Sequence, residues 1–93
     1  MFVIAHHFIQ EPDAFWAAAP ELLATIPSHM KLHAVFPSRD LKTGTCVWEA
    51  TAVNDVQNLV DNLLGYISRN VCYDVNKEIA IGLPRKTLEE ALS

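Results

Sequence analysis

The chain has 93 residues and a formal charge of −4, from 11 acidic and 7 basic side chains with four neutral histidines. At 51% hydrophobic and 19% charged it sits inside the globular range, and splitting it would leave two pieces each too short to bury a core, so one domain is expected. Lys and Arg form no run able to neutralise a phosphate backbone, which argues against nucleic acid and an anionic membrane as partners.

Residues 1–9 are a nearly unbroken apolar run rich in β-branched and aromatic side chains, stopped by Gln10-Glu11-Pro12. They read as a strand buried on both faces and central in its sheet. The same residues lack the basic start and long apolar stretch of a signal peptide, and no segment approaches the roughly 18 apolar residues of a membrane span, so a cytoplasmic protein is expected. Pro12-Asp13 opens a helical stretch with Phe15, Trp16, Ala19, Leu22, Leu23 and Ile26 at three- and four-residue spacing. Pro20 cannot donate to the preceding turn, which predicts a kink near Ala19 or a short helix followed by a separate turn.

Residues 30–37 and 46–53 are two further strand runs, joined by a hairpin loop over 38–45 that holds charged residues and Gly44. Asn54 with Gln57 resembles a capping box, followed by Val56, Leu59, Val60, Leu63 and Leu64 on one helical stripe and Gly65 as a stop. Residues 66–75 read as irregular or a short extra turn, and 78–83 as a last short strand ending at Pro84. Thr87 and Glu90 form a second capping-box pattern, a short helix in a C-terminal tail over 85–93.

The order strand, helix, strand, strand, helix, strand over 1–84 gives an α+β fold, a ferredoxin-like βαββαβ two-layer sandwich. Right-handed crossovers set an antiparallel sheet in the order 4-1-3-2, with the first and third strands inside and both helices on one face. At this size a monomer buries only about 60–65% of its unfolded surface, so so apolar a chain is expected to share the remainder with a second copy.

Strand side chains alternate, so matching Leu32, Ala34 and Phe36 with Cys46, Trp48 and Ala50 makes one face wholly apolar and turns it toward the helices. The other face then carries Lys31, His33, Val35, Val47, Glu49, Thr51 and Val53. Glu49, covered by a partner sheet, needs a counterpart, and His33 on one neighbouring strand or His6 or His7 on the other can supply it. Such a pair serves as a general base, as part of a metal shell, or simply as mutual satisfaction in a dimer interface. His6 and His7 point to opposite faces, so at most one joins a site; His29 falls in a turn and reads as solvated.

Phe15, Trp16 and Trp48 are candidates to line a cleft between helix and sheet, where an apolar ligand would enter, although aromatics at helical spacing are usually core. Cys46 and Cys72 lack C-x-x-C spacing and read as buried thiols, and without H-E-x-x-H, a carboxylate cluster or a Gly-rich strand-to-helix turn no metal, phosphate site or cofactor is implied.

His7, Pro12-Asp13-Ala14-Phe15-Trp16, Trp48-Glu49-Ala50, Gly65 and Ala80-Ile81-Gly82-Leu83-Pro84 give the chain a pattern that resembles the dimeric α+β barrel superfamily, in a small uncharacterised bacterial subgroup. The resemblance implies a homodimer. The superfamily includes cofactor-free monooxygenases, muconolactone-type isomerases, haem-degrading enzymes, dye-decolourising peroxidases, stress-responsive proteins and a nickel-binding branch, so fold does not transfer function. The first reading is a non-enzymatic dimer that binds a small apolar ligand, or serves as a stress-linked accessory protein, through His7, Phe15, Trp16 and Trp48, with His33 and Glu49 at the dimer face. The alternatives are a cofactor-independent monooxygenase or isomerase with His6 or His7 as base, and a nickel-like transition-metal binder using His7, His33 and Glu49.

Overall fold

The structure is a computed structural model that describes residues 1–84; the helix expected in the tail lies outside the described residues. The elements are β1 (Phe2–Ile9), α1 (Pro12–Ala24), β2 (Lys31–Pro37), β3 (Thr43–Glu49), α2 (Val53–Leu64) and β4 (Ser68–Asp74). They form an open four-stranded sheet in the order β2-β3-β1-β4 with every neighbouring pair antiparallel. This α+β layout, with β1 and β3 inside, is the expected order and is compatible with a ferredoxin-like fold. No helix among the described residues is long and apolar enough to cross a membrane.

Alternation along the strands builds the core. Val3, Ala5 and Ile9 of β1 meet Cys46 and Trp48 of β3, and Phe15 and Leu22 of α1 and Val56, Val60 and Leu64 of α2 close over them. The opposite face of β1 is less covered than expected: Phe2 is buried, Ile4 and His6 are half-buried and Phe8 is exposed.

Several boundaries differ from the sequence reading. α1 runs unbroken through Pro20, because Phe15 before the proline and Leu22 after it are both anchored in the core. β3 spans Thr43–Glu49, earlier than expected, so Gly44 belongs to a strand. A Cβ at Gly44 would meet the Trp16 ring at 3.2 Å, and the missing side chain is what lets that ring lie against β3. α2 begins at Val53 with Ala52 as N-cap and no side-chain cap bond. The expected capping box is absent because Gln57 is engaged elsewhere, with Asp61, the Asn70 carbonyl and the Cys72 N–H.

The last strand is also displaced. Residues 68–74 form β4, whereas 78–83 are turn and bend, with Gly82 at φ 98°. Between β2 and β3 the register runs Leu32 to Trp48 and then Ala34 to Val47 and Val35 to Cys46, with a bulge at His33. The extra residue moves Val35 to the helix side and Ala34 and Phe36 to the open side, reversing the faces expected for these three.

Candidate functional site

Between α1 and the sheet lies a cavity of about 60 Å³, walled by His7, Phe15, Trp16, Leu22, Val35, Cys46 and Trp48 among others. Its lining is almost wholly apolar. Phe15 and Trp16 come from the first turns of α1, Trp48 and Cys46 from the inward face of β3, and Leu32 and Val35 from β2, the latter because of the bulge.

Trp16 is half-buried, stacks edge-on against Phe15 with ring centroids 4.9 Å apart, and donates its indole N–H to the Leu41 carbonyl at 3.0 Å. Leu41 closes the β2–β3 hairpin loop in a left-handed conformation, φ 65°. That turn is held by Asp40, which accepts from Ser38 Oγ and the Lys42 N–H and whose carboxyl those bonds hold below its ordinary range. Trp16 therefore forms a wall fastened to a surface loop.

His7 is the point where the cavity meets polar chemistry. It is 2% exposed, its ring lies 5.2 Å from that of Phe15, and its Nδ1 is 2.6 Å from Asn70 Oδ1 across the β1–β4 pairing. Asn70 Nδ2 donates to Asp61 Oδ1 at 2.9 Å, and Ser68 Oγ lies 2.8 Å from Asn70 Oδ1 and 2.9 Å from the Leu64 carbonyl, its single proton serving either acceptor. Burial pushes the imidazole below its usual 6.5; the Asn70 bond opposes this, His6 adds to it, and Asp61 opposes it more weakly.

No protein-family model, curated protein or solved structure matches this chain.

The remaining candidates lie elsewhere. On the open face of the sheet, His33 Nε2 and Glu49 Oε1 are 2.8 Å apart, with side chains 8% and 13% exposed, and the His33 ring rests 5.5 Å from Phe2. His6 occupies the same face and bonds Thr45 Oγ1 at 2.9 Å. The sheet thus brings His33 and Glu49 together and keeps His7 on its other side, so these three do not converge on one point. Among the described residues no three His, Cys, Asp or Glu side chains gather as a metal site. His29 is exposed before β2.

Both cysteines are free thiols. Burial pushes Cys46 up to about 12 and Cys72 up to about 11, so neither forms an appreciable thiolate at neutral pH.

Sequence reasoning missed Asn70 and Ser68, because the segment holding them was read as irregular, missed Asp61, and gave Gln57 only a capping role. A strand signal was present: Ser68, Asn70 and Cys72 alternate with Arg69, Val71 and Tyr73. The inward set is polar, so the alternation does not look like a core-facing strand.

Proposed function

We propose that this protein is a small homodimeric ligand-binding domain whose ligand occupies the space between α1 and the sheet. The observation that carries the reading is the apolar cavity walled by Phe15, Trp16 and Trp48 with His7 as its polar contact. The volume of about 60 Å³ is below the roughly 150 Å³ that admits benzene in an engineered cavity. A ring-sized ligand enters by displacing Trp16, which one hydrogen bond ties to an exposed loop.

The homodimer is supported by the open face, where Phe8, Phe36, Val71 and Tyr73 are exposed and, beyond β4, Ile79 and Ile81 are exposed as well. Stacking two such faces would cover these groups and enclose the His33–Glu49 pair, the arrangement that the resemblance to dimeric α+β barrels implies. Native mass spectrometry tests it: the expected species is twice the 10.4 kDa chain, and a monomer at micromolar concentration would remove the dimer from the reading. Titration with toluene followed by tryptophan emission tests the cavity. A saturable change is expected, and its absence both in the native protein and in Trp16→Ala, where the wall is removed, would sink the ligand reading.

One feature favours a second reading, a cofactor-independent monooxygenase or isomerase. His7, not His6, faces the helices, and burial keeps its imidazole neutral at pH 7, the state a general base requires. Turnover that disappears in His7→Gln while toluene still binds would distinguish the enzyme from the carrier.

A further inference from the structure

The polar groups around the cavity define which ligands it accepts. Asp61 is exposed on α2, and a carboxylate there only accepts, so the group of Asn70 that lies 2.9 Å from it is the amide nitrogen. This orientation turns the Asn70 oxygen toward His7, 2.6 Å from Nδ1. An amide oxygen has no proton to give. The proton in that bond therefore belongs to His7 Nδ1, and neutral imidazole carries only one, leaving Nε2 bare. Nε2 has no hydrogen-bond partner among the described residues, where His7 bonds through Nδ1 alone.

A second, independent observation comes from β3. Trp48 is 1% exposed, lines the same cavity, and its indole Nε1–H is a buried donor with no partner among the described residues. Buried polar groups without partners are costly and uncommon. Two of the residues that line the cavity thus hold unused hydrogen-bonding capacity, a bare acceptor at His7 Nε2 and an idle donor at Trp48 Nε1–H.

We infer that the site selects a neutral hydroxyl compound with an apolar body, an alcohol or phenol, whose O–H donates to His7 Nε2 and whose oxygen is the natural acceptor for Trp48 Nε1–H. This rests on the ligand-binding reading above and sharpens it: an anion would bring its charge into an apolar cavity beside a bare lone pair, and a compound that only accepts would leave Nε2 unpaired. Asn70 and Asp61 act as positioning residues, since they choose which imidazole nitrogen carries the proton.

The test has two parts. Two-bond ¹⁵N–¹H correlation of the histidine side chains in the native protein reads the His7 tautomer without any ligand. The expected pattern is a protonated Nδ1 and a bare Nε2, and a protonated Nε2 would overturn the inference outright. Phenol and toluene, near-isosteres with and without the hydroxyl, are then titrated against the native protein and the Trp16→Ala and His7→Leu variants. The ratio of toluene Kd to phenol Kd is expected to fall about tenfold in His7→Leu, the upper range for one hydrogen bond. If both compounds bind with a ratio that His7→Leu leaves unchanged, the hydroxyl preference is wrong while the cavity stands as a binding site. If neither binds even in Trp16→Ala, the inference fails together with the ligand reading on which it rests. Should His7→Leu not fold, the tautomer and the native phenol preference still decide, since toluene binding tighter than phenol would refute the pairing.

Discussion

Replacing Asn70 with leucine, close in volume but without polar atoms, isolates what the relay behind His7 contributes to stability. The bonds lost are those to His7 Nδ1 at 2.6 Å, to Ser68 Oγ at 2.8 Å and to Asp61 Oδ1 at 2.9 Å. They do not weigh equally. Ser68 can turn its proton to the Leu64 carbonyl, 2.9 Å away, and Asp61 is exposed and can bond water. His7, 2% exposed, is left with a buried N–H and no acceptor. An orphaned buried donor costs about 1–3 kcal/mol, and the extra apolar burial of leucine offsets part of it, so a net loss of about 1–2 kcal/mol is expected. In a domain of this size that lowers Tm by roughly 4–16 °C. Urea unfolding at mildly alkaline pH, where His7 is neutral in both states, measures it as a fall in midpoint with unchanged slope. Ser68→Ala is the control, with a loss below about 1 kcal/mol because Asn70 Oδ1 keeps His7 and the Leu64 carbonyl keeps the Ile67 N–H. A stability for Asn70→Leu within about 0.5 kcal/mol of the native protein, the range of ordinary surface substitutions, would refute the relay as a structural element.

Gly44→Val places side-chain atoms where the Trp16 ring lies 3.2 Å from a Cβ, so a loss of about 1–3 kcal/mol and red-shifted tryptophan emission are expected; unchanged emission would mean that the ring does not rest on β3. Leu41→Asn relieves a left-handed leucine at φ 65° and leaves the carbonyl that holds Trp16 in place. It is expected to leave thermal stability unchanged or raise it by up to about 1 kcal/mol, and a marked fall in the melting temperature would count against strain at that turn. The His7 pKa is lowered in the folded state, so between that value and the unfolded 6.5 the unfolded chain binds the extra proton. Stability is full above pH 6.5 and falls as pH drops through that window. Urea midpoints measured against pH should show this acid-side slope in the native protein and a flatter profile in His7→Leu.

The strand and helix order was legible because each element's apolar residues repeat at the period its geometry requires, as in Val56, Val60 and Leu64 on α2 or Cys46 and Trp48 on β3. The inward placement of Phe15, Trp16 and Trp48 followed from the same pattern, and His33, one of the histidines offered as a partner for Glu49, meets it across the strands. β4 was not legible. Its inward residues Ser68 and Asn70 are polar, and only the long-range partners His7, Asp61 and the Leu64 carbonyl make their burial tolerable. The bulge at His33 was equally hidden, because Ala34, Val35 and Phe36 are all apolar and either alternation gives a plausible inner face. In both places the deciding energy comes from contacts remote in sequence, which local periodicity does not carry.

The sheet separates two polar clusters, one behind the cavity and one on the open face, and their independence can be measured. On β1, His7 is opposite Asn70 while Phe2 is opposite Glu49. The five-residue separation between His7 and Phe2 amounts to roughly 16 Å along a strand, well beyond the 7–10 Å within which substitutions usually couple. The side chains also emerge from opposite faces. Asn70→Leu and Glu49→Gln should therefore add, with a double variant matching the sum of the single losses to within about 0.5 kcal/mol at fixed protein concentration. Glu49→Gln on its own should weaken dimerisation in analytical ultracentrifugation if the open face is the seam, whereas Asn70→Leu should leave the association constant unchanged. Coupling well above that limit would mean that β1 transmits the state of the His7 relay to the opposite face, and the cavity and the dimer seam would then have to be treated as one linked system.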